Sequence, residues 1–208
     1  TTTDTLSLHD ALPISSRILL WISLMALSWP AAAQQDFGSF GHVLGGAANA
    51  PVQINVFSDF QCSACREFYL GTIKLVLRDY AAGNKVRVVY HEIPLQGHKY
   101  SRDAARYAGA AARMGTKQLL AVMDALFLNQ SQWAQNGRME TWVAKALSLQ
   151  DFQTLKRILR EPAVDLAIDR ELKFSTIKGL RSTPTMFLRY AGKQQKAEGL
   201  VTYPVLKQ

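Results

Sequence analysis

Apolar and polar positions alternate over Val52-Gln53-Ile54-Asn55-Val56-Phe57, a stretch rich in β-branched residues, and predict a strand entered through Gly45-Gly46 and Pro51. From Cys65 onward the apolar residues fall at Phe68, Tyr69, Ile73, Val76, Leu77 and Tyr80. This is helical spacing, with Arg66, Lys74 and Arg78 set off the stripe, and the helix is expected to stop near Gly83-Asn84. Val86–Tyr90 reads as a second strand, completing a βαβ unit. A helical stretch then runs from about Ser101 to Lys178, Ala-rich over Arg102–Met114, with breaks near Asn136-Gly137, Ser148 and Pro162. Strand character returns at Thr185–Tyr190, and a last strand is expected around Gln195–Leu200.

Two strands separated by a helix need a parallel crossover, and a late hairpin can add antiparallel strands to the same sheet. The expectation is therefore an α/β fold with a helical insertion. Residues 34–51 form a lead-in before the first strand, 52–97 and 179–208 the sheet domain, and 98–178 the insertion. The helical pattern that opens just before Gln208 is expected to continue in a longer chain.

The apolar run Ile18–Trp29 followed by Pro30-Ala31-Ala32-Ala33 changes the picture at the other end. About a dozen apolar residues are too few for a membrane span, which needs roughly 20, but they fit the core of a secretory signal ending in a small-residue cleavage site. We read 17–33 as a signal peptide cleaved after Ala33, with a buried helix or uncleaved anchor as the alternative. Residues 1–16 carry Asp4 and Asp10 and no Lys or Arg, unlike a signal's positive start, and are read as an upstream extension.

The chain of 208 residues is 48% hydrophobic and 19% charged, an ordinary globular composition with a formal charge of +8. Removing residues 1–33 leaves 23 basic against 14 acidic residues, or +9. No Lys/Arg run or aromatic interleaving points to nucleic acid.

Only two cysteines are present, Cys62 and Cys65, at the strand-to-helix junction. A cysteine at a helix N-terminus meets free N–H groups and the positive end of the dipole, which lower a thiol pKa from about 8.5 toward roughly 3.5–7.5. Cys62 is placed to be the nucleophile. One turn later Cys65 lies on the same face, placed to attack a mixed disulfide and release the partner. Ser63 and Ala64 carry no charge, so the dipole and any adjacent cation are expected to supply the thiolate's support. A structural zinc site needs about four ligands, and beyond the cysteines the chain after Ala33 offers only His42, His91 and His98, none of them at a paired spacing. An inert structural disulfide closing so short a loop adds little stability.

The stretch Val43-Leu44-Gly45, Ala50-Pro51-Val52 and Phe57-Ser58-Asp59-Phe60-Gln61-Cys62-Ser63-Ala64-Cys65 resembles the DsbA-like branch of the thioredoxin superfamily, exported thiol:disulfide oxidoreductases. Gly179 and Ser182-Thr183-Pro184-Thr185-Met186-Phe187 are similar to the family loop in which a cis-proline faces the cysteines. The resemblance covers roughly Phe40 to Val201 and implies a thioredoxin-like fold with an inserted helical domain. It implies Cys62 as the attacking thiol, Cys65 as the resolving thiol, Pro184 as the cis-proline and Thr183 as the residue that meets the substrate backbone and tunes the potential. The chain departs from the family at Ser63-Ala64, where Pro followed by His or Tyr is frequent, and at Val56, where many relatives carry a buried Glu. Asp59 is the nearest acid, read either as a solvated loop carboxylate or cap, or as a proton shuttle. Arg181, three residues before Pro184, is a candidate neighbour of the Cys62 thiolate. His91, in the family-like segment Tyr90–Leu95, is read as structural.

The expected activity is formation of disulfides in reduced or unfolded client proteins in the periplasm, without cofactor or metal, by a monomer reoxidised through a membrane quinone-linked partner. The alternatives are a reductase of exported thiols, a copper-binding metallochaperone and a redox-inactive binding module. N-terminal sequencing of the exported protein is expected to begin at Gln34; a product retaining Ile18–Trp29 would indicate an anchor instead.

Overall fold

The computed structural model describes Phe37 and residues 40–208, so the extension 1–16 and the signal segment 17–33 lie outside the described residues. Residues 40–208 fall within a single compact unit. Its five-stranded sheet has the order β1-β3-β2-β4-β5, with β1 His42–Gly45, β2 Val52–Ser58, β3 Val86–Glu92, β4 Thr185–Tyr190 and β5 Lys193–Glu198. β2 and β3 run parallel across the crossover helix, whereas β4 pairs antiparallel with β2, and β5 with β4.

The crossover helix α1 spans residues 63–81. It begins as an α-helix over Ser63–Phe68, widens to π-helical turns over Tyr69–Ile73 and Leu77–Ala81, and is α-helical between them at Lys74–Val76. Between β3 and β4 come α2 Ser101–Ala112, α3 Thr116–Leu128, α4 Gln130–Asn136, α5 Glu140–Ala146, α6 Leu149–Ile158 and α7 Pro162–Ile177. A short α8, Tyr203–Leu206, follows β5.

Two differences from the sequence reading stand out. The lead-in 34–51 contains a strand, β1, which pairs antiparallel with β3 at the sheet edge. Its four residues, bounded by Gly41 and Gly46 with positive φ, are too few to show alternation. Gly46 is required there, because a Cβ would lie 2.0 Å from the Val86 carbonyl oxygen. The second difference is the widened middle of α1, since an apolar stripe over so few turns reads the same for α and π spacing. The last strand also starts two residues earlier than expected, at Lys193.

One sheet face carries the core. Ile54, Val56, Val88 and Tyr90 pack against Phe68, Tyr69, Ile73 and Val76 of α1, and the same cluster continues into Leu119, Leu126 and Phe127 of α3 and Trp133 of α4. Phe127 joins the helical block to the first part of the chain, its ring 4.8 Å from Phe60 and 4.7 Å from Tyr69. On the opposite face Phe57 stacks on His91 at 4.3 Å and meets Phe174 of α7. An apolar cavity of about 770 Å³ opens between α1, β4 and α8, lined by Val76, Tyr80, Met186, Leu188 and Tyr203, with neither cysteine in its wall.

Phe127→Ala is expected to cost about 3–5 kcal/mol, the loss typical of a buried aromatic ring. The check is a urea unfolding curve with a lower midpoint and one transition, because the helical block and the sheet share this core.

Candidate active site

Strand β2 ends at Ser58, and the next four residues turn the chain back so that Cys62 becomes the N-cap of α1 with extended backbone angles (φ −74°, ψ 123°). Cys62 N–H donates to Asp59 O at 3.2 Å and Arg66 N–H to Cys62 O at 3.1 Å, the latter opening the helix. No side chain caps this end and no acidic residue sits in the first turn, so its N–H groups face the Cys62 sulfur rather than a carboxylate.

Asp59 holds the turn. It is 1% exposed, which excludes the solvated loop carboxylate considered above. Its Oδ1 accepts from Gln61 N–H at 2.7 Å and Ser101 Oγ at 2.5 Å, and its Oδ2 accepts from Leu95 N–H at 2.8 Å and His98 Nδ1 at 2.9 Å. A buried carboxylate needs such donors to offset lost hydration, and these tie the cysteine loop to the segment entering α2. Gln130 of α4 adds a second tie, its amide donating to Phe60 O at 2.7 Å and Cys62 O at 2.9 Å. Gln61 Oε1 accepts from Tyr100 N–H at 2.8 Å, and Arg66 Nε donates to Phe127 O at 3.0 Å. Gln61, Ser101 and Gln130 were not singled out from the sequence: partners 39 to 70 residues away leave no local signal.

The two sulfurs are unequal. Both cysteines are free thiols, Cys62 partly exposed and Cys65 buried at 1% exposure. The Cys62 pKa is lowered to about 5. Its largest support is the Cys65 S–H; partial burial opposes it, and the Cys65 N–H, the Thr183 side chain and the Ala64 N–H add to it. This corrects the expectation that the dipole or a cation would dominate. Arg181 is exposed and is not among these supports. Ser63 is also exposed. Burial, with the Cys62 thiolate next, pushes the Cys65 thiol far up, against the Ser58 hydroxyl and the Asp59 N–H, which lies 3.4 Å from Cys65 Sγ.

Opposite Cys62 stands the loop before β4. The Thr183–Pro184 peptide is cis, Pro184 is buried, and Cys62 Sγ donates to Thr183 O at 3.5 Å. Thr183 Oγ1 is buried without a hydrogen-bond partner, free to donate to the sulfur once its proton leaves. Thr185 Oγ1 donates to Ser182 O at 2.7 Å and Gly199 N–H to Pro184 O at 2.8 Å, which fix the loop to β5. His91 lies away from the sulfurs on the other sheet face, fully buried between Asn55 Oδ1 at 3.1 Å and Glu171 Oε2 at 3.0 Å. Among the described residues no three His, Cys, Asp or Glu side chains converge on a metal-sized site.

A partly exposed thiolate facing a buried thiol one turn away, beside an open backbone loop, is the arrangement of a dithiol that exchanges with other disulfides. The Thioredoxin family profile matches residues 40–200. DsbA2 from Pseudomonas aeruginosa superposes with a TM-score of 0.61 at 25% identity, covering 78% of this chain and 88% of that one. A thioredoxin-like oxidoreductase from Silicibacter pomeroyi gives 0.60 at 27% identity over 80% and 88%. Oxidised BdbD from Bacillus subtilis gives 0.66 at 19% identity over 80% and 89%, a likeness of fold. No curated protein sequence matches the chain. Fold and site thus define a thioredoxin-type dithiol protein. The chain belongs to the thioredoxin family, on its DsbA-like branch of thiol:disulfide oxidoreductases.

Alkylation of Cys62 is expected to titrate with a midpoint of about 5. Cys65→Ala removes the largest support and should raise that midpoint by roughly one unit or more. Because folding lowers the Cys62 pKa from 9.0 to about 5, the reduced fold gains stability as pH rises through that window and loses it on acidification. The oxidised form lacks this dependence, so comparing the two by denaturant titration isolates it.

Proposed function

We propose that this chain is an exported dithiol oxidase. A client thiolate attacks Cys62 Sγ of the Cys62–Cys65 disulfide, the S–S bond breaks, and Cys65 leaves with the electron pair and takes up a proton. A second client thiolate then attacks the client sulfur of the mixed disulfide and expels Cys62 as a thiolate. The client is oxidised by two electrons and the cysteine pair reduced by two. An extended client segment pairing with the backbone at Thr183 beside Pro184 holds its sulfur against Cys62, in the manner of strand addition.

The observation that carries this reading is the placement of a partly exposed Cys62 at the N-terminus of α1, beside the buried Cys65 and the Thr183 carbonyl, which lowers its pKa to about 5. A thiolate so stabilised is a good leaving group and favours the reduced state of the pair, which makes the disulfide a strong oxidant. The signal-like segment 17–33 supports a periplasmic setting, where disulfides persist. Continued turnover requires a reoxidising partner, for which the membrane quinone-linked type is the proposal, with the chain acting as a monomer.

The test is oxidative refolding of a reduced client with known native disulfides. One equivalent of the oxidised protein is expected to form about one client disulfide with no other oxidant. Cys62→Ala should reduce this to background, and Cys65→Ala, oxidised by a small disulfide, should accumulate a client-linked species through Cys62. Activity surviving in Cys62→Ala would overturn the proposal.

A further inference from the structure

Gln61, the residue before Cys62, draws two segments of the helical block to one side of the reactive sulfur. Its Oε1 accepts from Tyr100 N–H at 2.8 Å and its Nε2 donates to Ala134 O at 3.3 Å. The first segment brings Lys99, whose ammonium lies over the Tyr100 ring at 5.1 Å from its centroid. The second ends α4 at Gly137, which closes on the same ring. A Cβ there would stand 2.7 Å from Tyr100 Cε1, and the φ of +74° suits glycine. Arg138 follows directly, so both cations issue from backbone beside Tyr100. Across the sulfur, Thr183 O lies 3.5 Å from Cys62 Sγ, and Arg181 precedes Thr183 by two residues in the same loop.

Lys99, Arg138 and Arg181 are exposed, and among the described residues none of them takes part in an ion pair. The acids nearest to them are already engaged. Asp59 is buried among its four donors. Glu198 accepts from Ser182 Oγ at 3.4 Å but is paired with Lys196, and Asp103 and Glu140 are paired with Arg106 and Lys156. Glu67 is exposed, yet five residues past Cys62 it lies about 140° round α1 from it. The rim around Cys62 is therefore positive. We propose that this rim selects client segments whose reacting cysteine is flanked by Asp or Glu. This rests on the dithiol exchange proposed above and adds what the client must carry.

The three cations face the client and not the thiolate. Cys62 owes its lowered pKa to the Cys65 thiol, N–H groups and Thr183, with no cation among its supports. A client extended along the Thr183 backbone rises about 3.3 Å per residue, so a side chain about two residues from its cysteine comes level with Arg181. Lys99 and Arg138 border the same sulfur from the insertion side. Complementary charge at such a rim speeds encounter and turns away like-charged partners more than it tightens the complex. Selection of this kind acts before any bond between sulfurs forms, and it weakens as salt screens the rim.

Dithiol peptides of one length, with Glu, Gln or Lys on both sides of each cysteine, test the rim by the rate at which each reduces the Cys62–Cys65 disulfide. Every rate is divided by that peptide's rate with an uncharged small disulfide, which cancels the effect of flanking charge on the peptide's own thiols. At low salt the wild type is expected to favour the Glu peptide over the Lys peptide by about tenfold, with the Gln peptide between them. In about 0.5 M salt the preference should shrink to about twofold. The combined Lys99→Gln, Arg138→Gln and Arg181→Gln variant should show that small ratio already at low salt, and the wild-type salt titration decides alone if the variant does not fold. A wild type without the preference, a preference that ignores salt, or a folded variant that keeps it would overturn the selection and leave the exchange intact. A wild type that none of the peptides reduces would overturn dithiol exchange itself.

Discussion

The site depends on holding two identical thiols, one helical turn apart, in opposite surroundings. Cys62 sits at the first turn of α1, where N–H groups and the Cys65 S–H converge on it, while Cys65 lies inside the core with burial against its ionisation. Each condition supports the other. A buried Cys65 stays protonated, and as a protonated donor it is the largest support of the Cys62 thiolate. The pair therefore divides its roles without a charged residue between the cysteines, where the sequence has only Ser63 and Ala64.

The rest of the fold fixes this asymmetry in place. The helical block braces the turn from β2 into α1: Asp59 gathers donors from the approach to α2, and Gln130 clamps the carbonyls of Phe60 and Cys62. The insertion is thus part of the site's support, packed through Phe127 and Trp133 into the same core as the sheet. From the other side the Thr183–Pro184 loop brings a carbonyl to within 3.5 Å of Cys62 Sγ, anchored through Gly199 to the end of β5.

What could be read from the sequence follows from how local each signal is. The Cys62–Cys65 spacing, the alternation of β2 and the stripe of α1 lie within a few turns of chain, and the parallel crossover follows from their order. β1 escaped because its four residues reach a strand only by pairing with β3. Asp59 is legible beside the cysteines but its surroundings are not, since Ser101 and His98 arrive from about forty residues away. Arg181, a candidate neighbour of the thiolate three residues before Pro184, is exposed in the fold and is not among the supports of the Cys62 thiolate.

The central claim is that the fold stabilises the reduced pair through the Cys62 thiolate and so makes the disulfide oxidising. The reduction potential of the Cys62–Cys65 couple, equilibrated against glutathione buffers, measures this directly. The account predicts a value toward the oxidising end of the thioredoxin-fold range, about −120 mV. A value near about −270 mV, that of a reductase, would contradict it.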